Sequence, residues 1–167
     1  KIYISYTGRY RAIGTVIATT FDQFYVNENQ IEGTKIVTRV SDTVQTINVN
    51  NAKITWLDGT TTLWEAARTR TWTGGKSTIL NIFDDVYTIK GTSNGTNRAG
   101  QVFQTVIADV TLKLECWLSK IFYPVSGTIT VTPDGSSNPI IVNYGSGTCD
   151  KSITVTYNGI VYDHELR

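Results

Sequence analysis

The sequence predicts an all-β protein: a single-domain antiparallel β array, built as a sandwich, a barrel or an extended meander, with an internal duplication. Three observations predict it. Apolar residues recur with period two rather than 3.6 along most of the 167 residues, as half-buried strands require. Asp-Gly or Asn-Gly pairs stand between apolar runs at 57–60, 93–96, 133–136 and 157–160, the strongest short-range hairpin signal. One eight-residue pattern also occurs at both ends, KIYISYTG from Lys1 and SITVTYNG from Ser152.

The strands follow in order. Ile2, Ile4 and Tyr6 share one face of a strand over 1–7, as Ile153, Val155 and Tyr157 do over 151–157. In both copies a glycine, Gly8 or Gly159, follows the tyrosine by two residues, where the chain is expected to turn with positive φ. The two stretches are therefore expected to be equivalent or paired. Further strands are predicted near 12–20, 23–27, 31–40, 43–49, 52–57, 60–73, 86–92, 101–114, 125–132, 139–143 and 160–166. IEGTKIVT at 31–38 and VSGTITVT at 125–132 repeat a Gly-Thr entrance to a strand, consistent with a bulge or a close backbone approach. The spacing of these echoes is irregular, which excludes a fixed-period solenoid. Helix competes only at TLWEAARTRTWT, 62–73. The β-rich TRTWT and the Asp-Gly turn ahead of it favour the strand.

A chain of this length buries a substantial core as one domain, here 1–167. Fifteen basic residues against fourteen acidic ones leave a net charge of +1 with no runs of like sign, so no field draws nucleic acid. No apolar stretch reaches the ~20 residues of a membrane-spanning helix. Methionine is absent and Lys1 already lies inside a strand pattern. A removed leader is therefore expected. Cys116 and Cys149 are the only thiols. If the leader was an export signal, a disulfide between them closes a loop worth ~3 kcal/mol; the alternative is two buried free thiols.

Several segments together carry a resemblance: EAARTRTWTGG, DDVYTIKGTSNGTNRAG, PVSGTITVTPDG and VNYGSGTCDKSITVTYNG, with the stretch from Tyr6 to Thr38. The chain resembles a family of uncharacterised exported lipoproteins of Bacteroidetes-type bacteria. The resemblance implies export to the cell surface, outer membrane or periplasm. It also implies lipid anchoring outside this chain and a first repeat segment upstream, and it brings no established activity. Expected partners are other envelope or surface proteins and glycans, with no nucleic acid and with the membrane reached only through the anchor.

No convergent catalytic set, cofactor fingerprint or metal-ligand spacing stands out, and the expectation is a non-catalytic protein without cofactor. His164 is the one available base, in a terminal strand. Asp163 and Glu165 share a strand face that His164 does not. Asp84 and Asp85 are adjacent carboxylates, which suit the cap of a turn entering 86–89 better than a glycosidase pair opposed across ~5–9 Å. PDGSSN lacks the downstream acid of a calcium loop. The aromatic residues are the better candidates for binding. On the strand over 60–73, Trp64, Arg68, Arg70 and Trp72 line one face. They form either a cation–π ladder for a glycan, or a core pair of tryptophans shielded by arginine stems. Trp56 and Trp117 complete the tryptophans. Asp42-Thr43-Val44 makes Thr43 a candidate O-glycosylation site, and Asn94-Gly95-Thr96 fits an N-glycan sequon that reads more simply as a turn.

Overall fold

The computed structural model describes residues 1–78 and 80–166. It is the all-β antiparallel array that the alternation predicts. Twelve strands form among the described residues: β1 (Ile2–Tyr6), β2 (Val16–Phe21), β3 (Phe24–Val26), β4 (Asn29–Arg39), β5 (Val44–Thr55), β6 (Thr61–Gly74), β7 (Val86–Thr96), β8 (Val102–Lys113), β9 (Ser126–Pro133), β10 (Ile140–Ser146), β11 (Ser152–Tyr157) and β12 (Ile160–Glu165). Their order in the sheet is β1-β2-β4-β5-β6-β7-β8-β9-β10-β11-β12, with β3 paired only to β4. The sheet does not close into a barrel. Sheet neighbours are consecutive in the chain except at β2, whose next neighbour is β4, as expected when sequential strands pair antiparallel.

Contacts group the chain into two compact units, Lys1–Thr69 with Thr92–Gln104, and Arg70–Gly91 with Thr105–Arg167. In the first unit the buried apolar residues among those described are Ala52 and Ala66, accompanied by buried Thr15, Gln45 and Ser93. In the second they are Ile107, Val110, Cys116, Val125 and Ile153, with Asp85 and Thr105. Val125 is 1% exposed and Cys116 wholly buried. At about 25 cal/mol per Å² of apolar burial, such short lists leave much of the holding to ladder hydrogen bonds and cross-strand pairs.

Three hairpin turns form where Asp-Gly or Asn-Gly predicts them. Gly59 (φ 80°), Gly135 (φ 72°) and the Asn158-Gly159 pair (φ 50° and 75°) supply the left-handed conformations. The fourth does not. Asn94-Gly95 lies inside β7, and the chain turns later, where Asn97 N–H bonds the Gln101 carbonyl. A Cβ on Gly95 would sit 2.0 Å from the Leu63 carbonyl oxygen, so the glycine serves a close approach of backbones. Gly8 also departs from expectation. Its φ is not positive, and a Cβ there would meet the Thr15 hydroxyl at 2.9 Å. The strand expected from residue 12 starts at Val16, since Ala12 and Thr15 are held in turns by bonds to Arg9 and Ala12 carbonyls. The turn between β3 and β4 uses Asn27 and Glu28 at φ 47° and 69°, without any glycine to announce it. Asn29 Nδ2 braces that turn through the Val26 and Asn27 carbonyls.

The strands expected at 43–49 and 52–57 are one strand, β5, bulged in the middle. Asn51 has φ 51° and faces Gly33 of β4, and the register shifts there between Glu32 and Thr34. A Cβ on Gly33 would lie 2.7 Å from Ala52 Cα. The second Gly-Thr entrance repeats this device. Gly127 of β9 faces Asp109 (φ 50°) and Val110 of β8, with a Cβ 2.4 Å from the Asp109 carbonyl oxygen. In the first case the glycine strand precedes its partner and in the second it follows. The recurrence is thus of a bulge geometry set in opposite chain orders. The two ends of the sequence are not paired with each other. β1 has one neighbour, β2, and is exposed throughout; β11 lies between β10 and β12.

Candidate functional site

Alternation along β6 places the four predicted ligand-binding residues on one face. Trp64, Arg68, Arg70 and Trp72 are half-buried and Ala66 is buried, while Leu63, Glu65, Ala67 and Thr69 are exposed. The first two fall in the first unit and the last two in the second. Trp72 is committed internally. Its indole N–H donates to Asp85 Oδ1 at 2.9 Å, and its ring stacks on Tyr87 at 6.4 Å. The Tyr87 hydroxyl donates to the other oxygen, Asp85 Oδ2, at 2.9 Å. The cation–π partner of Arg70 is Tyr87, 5.2 Å from guanidinium carbon to ring centre, in place of a flanking tryptophan. Arg68 Nε is buried without a hydrogen-bond partner.

A second arginine–aromatic cluster, not anticipated from the sequence, joins two loops of the first unit. Arg98 lies 4.5 Å over the Trp56 ring and pairs with Asp58 at 2.5 Å. Its Nε donates to the Thr60 hydroxyl at 3.2 Å, and Trp56 Nε1 donates to Thr62 at 3.0 Å. The Thr60 hydroxyl and backbone N–H bonds, with Arg98, hold the Asp58 carboxyl down at about 2. The contributing positions, Trp56 and Arg98, are 42 residues apart, out of reach of any local pattern.

Asp84 and Asp85 end a 3₁₀ turn over Ile82–Asp84 that Asn81 caps through Phe83 N–H. The Thr78 hydroxyl donates to Asp84. The pair stands at the turn entering β7, where the sequence predicts it, but Asn81 supplies the side-chain cap, while Asp84 accepts from Thr78 and Asp85 from Trp72 and Tyr87. Cys116, in a 3₁₀ segment at Leu114–Ser119, is bonded to Cys149 with Cα atoms 5.2 Å apart. The bridge ties that segment to the loop leading into β11, and Lys113 Nζ adds a bond to the Gly147 carbonyl at 2.9 Å. Trp117 stays 42% exposed against Phe122.

An open cavity of about 530 Å³ lies at β10–β12. Register puts Asn143, Thr154 and Asp163 on one rung and Ser152 and Glu165 on the next, while His164 pairs with Ile153. Asp163 and Glu165 thus share a face, as alternation predicts. Asp150 accepts from Ser152 N–H at 2.9 Å, and no group of three metal-ligating side chains forms among the described residues. PDGSSN is a turn closed by Ser136 N–H to the Pro133 carbonyl. Thr43 sits half-exposed in the turn between β4 and β5, where Ser41 Oγ accepts from its N–H at 3.3 Å.

Two adjoining depressions mark the surface of β5, β6 and β7 in the first unit, about 420 and 170 Å³ in volume. Glu65 and Asn94 line both. Comparison with protein-family models, curated proteins and solved structures returns no match for this chain.

Proposed function

We propose that this chain is a non-catalytic, exported β module, anchored to the membrane through a lipid carried outside residues 1–167, with a structural or adhesive role in a surface or periplasmic assembly. The observation that carries the proposal is that four carboxylates of the strands and turns are spent on holding the sheet together. Asp85 is held by Trp72 and Tyr87, Asp58 by Arg98, Asp109 by Lys90 at 2.9 Å and Glu32 by Lys53 at 3.2 Å. Each of these pairs joins one segment of the sheet to another. The Cys116–Cys149 bridge supports an oxidising compartment. The exposed Ile160, Val161 and Tyr162 along edge strand β12 suit contact with neighbouring envelope proteins.

The test is protease shaving and membrane fractionation of the native cell, followed by intact-mass analysis of the isolated protein. A lipid-bearing, disulfide-bonded species in the envelope fraction is expected, with a hexose-sized increment on Thr43 if that turn is glycosylated. A reduced cytoplasmic protein overturns the proposal, as does a turnover abolished by one point mutation.

A further inference from the structure

From the surface of β5, β6 and β7, we infer that the first unit binds an extended neutral oligosaccharide. The two depressions share Glu65 and Asn94, so they form one track rather than separate pits. Along it stand four carboxamides, Asn48, Asn50, Asn51 and Asn94, whose side chains make no hydrogen bond among the described residues. A carboxamide offers two donors and an acceptor in one plane, which matches the vicinal hydroxyls of a sugar ring. Glu65 supplies a bidentate acceptor midway. Leu63, 44% exposed, adds apolar surface for the C–H faces of the sugar at the larger depression.

The fold builds the track from the bulge between β4 and β5. Asn51 takes its left-handed conformation opposite Gly33, which breaks the alternation of β5 and brings Asn50 and Asn51 to the lining together. Gly95 brings β7 against Leu63 and Trp64 more closely than any side chain would allow. The charges select the ligand class. Lys53 is already paired with Glu32, and the remaining charge in the track is the Glu65 carboxylate. An anionic glycan is therefore disfavoured and a neutral one accommodated. Together, volumes of about 420 and 170 Å³ suit more than one residue of sugar. Binding of this kind involves the first unit alone and does not depend on export or anchoring.

The experiment is heteronuclear NMR of the intact chain titrated with neutral gluco-, manno-, xylo- and galacto-configured hexasaccharides, and with an oligogalacturonate as the anionic control. Saturable shifts of the four asparagine side-chain amides by at least one neutral probe, unchanged by added salt, are expected. Asn94→Ala and Asn50→Ala, both at exposed positions, should each weaken that binding about five- to tenfold while leaving the amide spectrum of the second unit unchanged. The inference is overturned by no saturable shift up to about 10 mM, by binding of the anionic probe alone, or by shifts confined to Trp72 and its neighbours.

Discussion

Gly127→Ala isolates the close approach of β8 and β9. Its φ of 95° lies outside the left-handed well that an alanine tolerates best, at a cost of about 1–3 kcal/mol. The new Cβ would also stand 2.4 Å from the Asp109 carbonyl oxygen and 2.6 Å from Val110 Cα. Both are backbone atoms, so no side chain can rotate away. The strands must part by about an ångström, and overpacking of that kind costs roughly another 1–3 kcal/mol. Val110 is 4% exposed and Val125, nearby in sequence to Gly127, is 1% exposed, so the disturbance reaches buried side chains of the second unit. The sum is about 2–6 kcal/mol, a fall in melting temperature on the order of 10 °C. Gly135→Ala is the control in the same unit. Its φ is 72° with nothing within 4 Å of the added carbon, so only the conformational cost of about 1–2 kcal/mol applies, roughly 3–6 °C. Thermal unfolding followed by far-ultraviolet circular dichroism reads both. Equal losses for the two variants would refute the steric argument, and with it the bulge.

Three further outcomes are expected. Removing the bridge with Cys116→Ser and Cys149→Ser, 33 residues apart, should cost about 3.5–4 kcal/mol by the loop-entropy relation; a urea midpoint unmoved by the double substitution would count against a stabilising bridge. Trp72→Phe removes a donor from buried Asp85 while keeping the stacking surface, and should destabilise by about 1–3 kcal/mol, measured by denaturant titration, with a loss below about 0.5 kcal/mol contradicting the buried pair. Asp58 is held at about 2 against an ordinary 3.8: its folded value is depressed, so its contribution is complete above 3.8 and is lost as pH falls through about 2. Carbon-detected NMR of the Asp58 carboxyl should find that low midpoint, and Arg98→Ala should move it upward; an unchanged midpoint would remove Arg98 from the cause.

Which residues form strands was legible in the sequence because strand alternation is a local property. Trp64, Arg68, Arg70 and Trp72 share a face for no reason beyond their even spacing along β6, and Gly59, Gly135 and Gly159 turn the chain because only a residue lacking Cβ takes φ > 0 without cost. Pairing of Cys116 with Cys149 was likewise open to inference, there being no other thiol. What each side chain meets across the sheet was not legible. Asn94-Gly95 has the same letters as Asn158-Gly159, yet the first lies in a strand because the backbone of Leu63 and Trp64 presses on it. Arg70 takes Tyr87, and Arg98 takes Trp56, across separations in the chain that no periodicity encodes. The asparagine track depends on the same kind of fact: a bulge at Asn51 exists only because Gly33, 18 positions earlier, faces it. Local propensity decides that a segment is extended, whereas register between segments decides which surfaces and clusters exist, since a shift of one residue exchanges the two faces of a strand.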